Sequence, residues 1–249
     1  MPEPRLGAIY RYPVKGLGPD APRMLELSAG RHLPGDRVWA LAHARSAWDA
    51  DRPAHVARRN FVQTADSPAL ARTSLAFDGR RVTVSAPGAA DLTVDPDREG
   101  EALAEWVARL ADPRQPGPYR IARLPGGALT DVAEAHVSLH SEASLRALSQ
   151  AVGIRLEHRR FRGNLWLDGL GPWEEFELIG RDIRIGPVRL RVIEPITRCI
   201  ATSASPASGR RDVDVTGTLH RNWGHADFGV YAQIVEGGTL RIGDPLVRL

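Results

Sequence analysis

One cysteine, Cys199, and one lysine, Lys15, stand in a chain of 249 residues whose other fixed positive charges are all arginine. A lone thiol makes no internal disulfide. It is either a small core hydrophobe or a working sulfur, able to attack an electrophile, carry a sulfane sulfur or ligate a metal. Cys199 follows Arg198 in IEPITRCIATSASPASGRRD, where Pro195 interrupts a strand, so the thiol lies near a strand end. A neighbouring cation favours thiolate, yet consecutive strand residues point to opposite faces, and the spacing leaves the part of Arg198 open. Lys15 lies in RYPVKGLG, where Pro13 stiffens the approach and Gly16 and Gly18 leave backbone room for an anion. Its compact ammonium does a different job from a planar guanidinium. A solvated turn lysine is the plain alternative; a Schiff-base lysine is chemically open, but no companion motif supports a cofactor such as pyridoxal phosphate.

Two arginines stand just ahead of expected strands, Arg37 in PGDRVW and Arg162 in RFRGN. Guanidinium forks are good holders of phosphate, although such positions also carry ordinary surface charge. In AHVSLHSEAS, an extended 136–140 puts His136, Ser138 and His140 on one face, and a helix starting at Ser141 presents free N–H groups beyond them. That junction suits an anion. Ser141 and Ser144 either bond it or simply cap the helix, and the two histidines lack a third metal ligand at convincing spacing. In TLHRNWGHADFG, His220 and His225 flank Trp223 in what reads as a long loop, either a substrate mouth or plain surface.

Short β-rich stretches must position these residues. GAIYRYPV, MLELSAG, DRVWALAHA, RVTVSAPG and LTVDP carry β-branched or aromatic residues between Gly, Pro and Asp. One helix interrupts them, with Leu103, Trp106, Val107 and Leu110 on one stripe and Asp97 or a neighbour as cap. ADPRQPGPYR reads as a linker, which divides the chain into 1–117 and 118–249. After it come a strand at 135–139 and a helix capped by Ser141, stopped by Gly153 and buried through Leu145, Leu148 and Val152. FRGNLWLDG turns Leu165 and Leu167 to one face. Around Gly186-Pro187, Ile183 and Ile185 answer Val188, Leu190 and Val192 in a hairpin. DFGVYAQIVEGG and TLRIGDPLVRL add two or three strands, and so many edges favour a closed or nearly closed barrel.

A chain of this length buries a real core without disulfides. The formal net charge is only +3 and no basic run interleaves with aromatics, which argues against a nucleic-acid partner. No signal-peptide pattern opens the chain and no apolar run approaches a membrane span, so the expectation is a soluble, cytoplasmic protein without a membrane partner.

Taken in order, LGAIYRYPVKG, GDRVW, NFVQTADSPAL, SEASLRAL, RFRGN, TRC and FGVYAQIVEGGTLRIGDPL resemble the MOSC family, named after the C-terminal domain of molybdenum cofactor sulfurase, together with its N-terminal partner domain. The resemblance implies an α+β, predominantly β fold: a MOSC-type β-barrel at 118–249 with a β-barrel-like α/β partner at 1–117. It implies an enzyme similar to the amidoxime-reducing components, using a molybdenum pyranopterin dithiolene cofactor to reduce N-oxygenated or S-oxygenated small molecules, with electrons from a separate donor protein. Cys199 matches the family's molybdenum ligand and catalytic cysteine. Lys15, Arg37 and Arg162 match the residues that hold the pterin and its phosphate, and Asn164 and Ser141 match neighbouring cofactor positions. The chemistry agrees, since a soft thiolate suits a metal bound by dithiolene sulfurs and a phosphate suits Lys and Arg.

Three departures stand out. Gly16 replaces the usual serine, Ser205-Pro206-Ala207-Ser208-Gly209 replaces an Asp-Pro-x-Thr-Gly turn, and HRNWGHAD differs from the family's loop. A sulfur-transfer or cofactor-carrier protein, with Cys199 as persulfide acceptor, is the competing reading.

Overall fold

The alternating stretches of the second half become β8 (Val137–Ser141), β9 (Leu165–Asp168), β10 (Asp182–Ile185), β11 (Val188–Thr197), β12 (Asp227–Glu236) and β14 (Leu246–Arg248). In the computed structural model, which describes residues 3–249, they join β1 (Arg5–Ile9) in one sheet ordered β1-β9-β8-β12-β11-β10-β14. All neighbours pair antiparallel except β8 and β9. The two edges then meet: Leu6 N donates to Asp244 O at 2.9 Å, Gly243 N to Leu6 O at 2.7 Å and Leu246 N to Pro4 O at 2.8 Å. This nearly closed barrel leaves no long row of unpaired edge groups. Period two decides which side chains fill it: Leu165 and Leu167 enter the barrel core beside Ile183, Ile185, Leu190 and Val192, whereas Trp166 points outward into a second cluster. Each such aliphatic side chain stabilises by about 1.5–3 kcal/mol on burial. The hairpin pairs Ile185 with Val188 and Ile183 with Leu190, as the sequence pattern requires.

The first half forms two small sheets rather than a second closed barrel. One joins β3 (Trp39–Ala42) to β7 (Arg120–Arg123); the other runs β4 (Ser74–Phe77), β5 (Val82–Ser85), β6 (Leu92–Val94). Helix α1 (Gly100–Ala108) packs Leu103, Trp106 and Val107 against Val82 and Val84. Asp97 is not its cap; it accepts from Trp39 Nε1 at 2.8 Å and pairs with Arg123. Leu110 falls beyond the helix end yet still packs on that core. Strand pairing runs across the division at residue 117, because β1 completes the barrel and β2 (Met24–Leu27) pairs with β13 (Gly238–Arg241).

Helix α2 (Glu142–Val152) begins at Ser141, whose hydroxyl accepts from Ala143 N and Ser144 N, and ends at Gly153 with φ 77°. After α3 (His158–Phe161), the segment read as a loop near His220 proves to be helix α4 (Val215–Trp223). Asp214 caps it through Gly217 N, Val215 and Leu219 anchor it, and Gly224 stops it at φ 79°. Those cap signals were present in the sequence, but three glycines and two histidines in the surrounding stretch hid them. No helix among the described residues is long and apolar enough to cross a membrane.

Candidate cofactor site

β11 bends at Pro195, where its register with β12 is irregular, and ends at Thr197. Cys199 follows in extended conformation, and its carbonyl accepts from Thr202 N at 3.2 Å and Thr202 Oγ1 at 2.9 Å at the start of a 3-10 turn. The thiol residue is half-buried and belongs to none of the four apolar cores, so it is not a packing residue. Arg198 turns inward, donating from Nε to Phe228 O at 2.8 Å and from Nη1 to Phe161 O at 2.9 Å. Burial lowers its guanidinium to a pKa of about 10. The cation that meets the thiol is Arg58, from a 3-10 turn in the first half, with Nη1 3.3 Å from Cys199 Sγ. Nothing in the spacing of the sequence pointed to Arg58.

Lys15 is fixed by backbone zipping: Lys15 N donates to Trp39 O at 2.8 Å, and Trp39 N to Pro13 O at 3.0 Å. Its Nζ donates to Leu129 O at 2.8 Å and to Asp131 Oδ1 at 2.5 Å. Burial lowers the Lys15 pKa, and Asp131 opposes that fall. Burial would raise the Asp131 carboxyl, but Lys15 and then Arg37 outweigh it and hold it below its ordinary range. Gly16 has φ 90°, and a Cβ there would stand 2.7 Å from Val62 O, so serine cannot occupy this backbone as it stands. A hydroxyl stands beside it nonetheless, since Thr64 Oγ1 donates to Gly16 O at 3.1 Å and Thr64 lines the same cavity.

Arg37 and Arg162 both adopt left-handed backbone, at φ 50° and 52°, a strained conformation for bulky side chains and one that clusters at functional sites. Arg162 gets there as the residue that ends α3. Their guanidinium carbons lie 4.8 Å and 4.4 Å from the ring centroid of buried Tyr12. Asp36 holds the arrangement by accepting from Tyr12 N at 2.7 Å and from Arg37 Nη1. Arg162 Nη1 donates to Leu17 O at 2.7 Å, but its Nη2 is buried without a partner. Burial, and next the adjoining Arg37, lower Arg162 to a pKa of about 10.

Lys15, Arg37, Arg162, Asn164 and Cys199 line one cavity, as do His136 and Ser138; Ser141 does not. Asn164 acts there as a staple: its Oδ1 accepts from Ser138 Oγ at 3.0 Å, and its Nδ2 donates to Tyr10 O at 3.2 Å. Ser141 spends its hydroxyl as a helix cap, so the start of α2 supplies no anion site at the cavity. His140 is fully buried between Trp166 and Phe228, at centroid distances of 4.8 Å and 5.7 Å. Burial, then Arg198, keep its pKa well below the ordinary imidazole value, so it is neutral. No three His, Cys, Asp or Glu side chains among the described residues are grouped to hold a metal ion by themselves. Trp223 and His225 pack on Trp173, at 4.4 Å and 6.4 Å, and neither they nor His220 line the cavity. The segment read as either a substrate mouth or plain surface is a packed helix end outside the cavity.

The cavity encloses about 970 Å³ of space when its open mouth is included. Six cations line it, Lys15, Arg37, Arg58, Arg160, Arg162 and Arg198, against two carboxylates, Asp36 and Asp131. Such a wall favours an anion, and the orphaned Arg162 Nη2 leaves a donor for it. A half-buried soft sulfur and a cationic wall in one cavity fit a metal-pterin phosphate.

Among known proteins, the MOSC domain family matches residues 126–247. Mitochondrial amidoxime-reducing component 1 of Homo sapiens is 25% identical over 238 residues, covering 76% of this chain and 69% of that protein. The Mus musculus protein of the same name is 29% identical over 121 residues, covering 44% of this chain and 35% of its own length. Molybdenum cofactor sulfurase 2 of Culex quinquefasciatus is 30% identical over 174 residues, covering 59% of this chain and 22% of that protein. The chain thus spans about a third of the mouse protein's length and about a fifth of the Culex protein's. The solved structure of the YUAD protein from Bacillus subtilis covers 98% of this chain and 93% of its own, at 13% identity and a TM-score of 0.49. With the nearly closed seven-stranded barrel already described, the family and sequence matches identify residues 126–247 as a MOSC domain in a chain homologous to the amidoxime-reducing components and molybdenum cofactor sulfurases.

Proposed function

We propose that the chain is a molybdenum-cofactor-dependent oxidoreductase that reduces N-oxygenated or S-oxygenated small molecules. The observation that supports it most is convergence: Lys15, Arg37, Arg162 and Cys199, from four separate stretches, line one cavity with an unsatisfied buried donor. Cys199 would ligate the metal, and Lys15, Arg37 and Arg162 would hold the pterin and its phosphate, with Asn164 keeping the wall between β1, β8 and β9 in place. The cofactor, when bound, supplies the two-electron reduction of an N–O or S–O bond. The chain binds and orients. Its Tyr231 and His136 rings, tilted against each other at 5.3 Å on the cavity wall, would supply protons to the departing oxygen. Burial raises the Tyr231 hydroxyl, which stays protonated at neutral pH. Electrons come from a separate donor protein.

Metal analysis of protein made in a host that synthesises the cofactor tests this. Stoichiometric molybdenum with a pterin, lost in Cys199→Ala, is the expected result. Absence of molybdenum from the wild-type protein overturns it. The contact of Arg58 with Cys199 Sγ also suits a persulfide acceptor. A persulfide on Cys199 without molybdenum would establish that sulfur-transfer reading instead.

A further inference from the structure

Resting on the cofactor assignment above, we propose that Arg58 is an anion anchor beside Cys199 and that substrates of this site carry a carboxylate or other oxyanion close to the atom being reduced. The other cations of the cavity are held by groups of the protein, apart from the one free nitrogen of Arg162 that the cofactor reading assigns to the phosphate. Lys15 is held by Asp131, Arg37 by Asp36, and Arg160 by Asp212 and Glu157. Arg162 donates to Leu17 O, and Arg198 to the carbonyls of Phe161 and Phe228. Arg58 differs. No carboxylate among the described residues lies within ion-pair distance of it, and its contact is the thiol at 3.3 Å. A guanidinium has five N–H donors in a flat fork, so most of this fork is free.

The fork is also pre-placed. Asn60, in the same 3-10 turn, accepts from Ala47 N at 2.7 Å and donates to Ala57 O at 2.9 Å, while His43 Nε2 lies 2.8 Å from Arg59 O. Holding the backbone on both sides reduces the ordering cost of binding. Arg58 is half-exposed, whereas Lys15 is only 6% exposed, so Arg58 stands on the solvent side of the cavity where an incoming molecule arrives. A flat, permanently charged fork matches a carboxylate or oxyanion by two parallel hydrogen bonds.

Alkylation of Cys199 in metal-free protein tests the anchor without the cofactor. Iodoacetate and iodoacetamide form the same S–CH2 bond and release the same iodide, and differ in charge; because Cys199 is the only cysteine, the rates report one site. Their ratio cancels the thiolate fraction. Arg58→Gln should lower the iodoacetate-to-iodoacetamide ratio about fivefold, as expected for one close charge pair. Arg59→Gln, which removes an exposed charge one residue away, should leave the ratio unchanged. Arg58→Lys should fall between. An unchanged ratio in Arg58→Gln, or equal falls in Arg58→Gln and Arg59→Gln, overturns the anchor.

In molybdenum-loaded protein, Arg58→Gln should raise the KM for a carboxylate-bearing N-hydroxy compound about tenfold over that for its neutral analogue. Equal changes for both overturn the substrate class. Molybdenum content is read separately. If the alkylation ratio falls but no molybdenum binds, the anchor stands and the cofactor assignment fails.

Discussion

Arg37 Nη2 donates to the backbone carbonyl of Arg162 at 2.8 Å, so one cradle arginine sets the backbone of the other. Two guanidinium groups flank one buried tyrosine ring while one nitrogen lacks a partner, which is costly without a bound anion.

Arg162→Met should therefore leave the metal-free protein within about 1 kcal/mol of wild-type stability, because a desolvated charge goes with the hydrogen bond to Leu17. Cofactor occupancy should fall at least about tenfold, the effect of losing one charge-assisted bond. Melting of metal-free protein alongside molybdenum analysis checks both. Retained occupancy with a stability loss above about 3 kcal/mol would make Arg162 purely structural.

Lys15→Arg should damage the site although the charge is kept. The ammonium is packed between Leu129 O and Asp131 Oδ1, 6.0 Å from the Phe61 ring centroid, and a broad fork does not fit. Expected are a loss of about 1–3 kcal/mol from overpacking and reduced molybdenum content. Wild-type values of both would show that any cation serves there.

Cys199→Ala should move the stability of metal-free protein by no more than about 0.5 kcal/mol, since the thiol lies outside the cores. Activity and bound molybdenum should disappear. A large stability loss with metal retained would contradict the ligand assignment.

Glu175 predicts a pH dependence away from the cofactor cavity. It is fully buried, accepts from Ser144 Oγ at 2.7 Å, and burial raises its pKa from 4.5 to about 7. The folded state thus holds this proton more tightly than the unfolded chain. Its stabilising contribution is full below about pH 4.5 and is lost as pH rises through about 7, by at most about 3 kcal/mol. Denaturant unfolding of wild type and Glu175→Gln from pH 4 to 8 isolates the term. Wild type should lose stability relative to the variant across this window, and parallel curves would refute the assignment.

Alternation and turn residues made the barrel legible without coordinates: Leu165 with Leu167, and the arms around Gly186-Pro187, carry their own facing rule. The same local code foretold the caps at Ser141 and Gly153. Local code also misled where one signal served two purposes. Ser141 caps the helix, turns its O–H toward Gly171 O and lies outside the cavity, and glycines and histidines around His220 read as loop although Asp214 and Gly224 bound a helix.

By itself, then, the sequence determined the β-rich class, the hairpin registers and the motif residues Lys15, Arg37, Arg162 and Cys199, because period, turn chemistry and motif are local properties of a chain. Tertiary structure decided what touches what. Arg58 and Cys199 are far apart along the chain, and only the packing of the first half against the barrel brings guanidinium and sulfur to 3.3 Å. The closing bonds between Leu6 and residues 243–244 likewise depend on the accumulated twist and register of seven strands, which no short window contains.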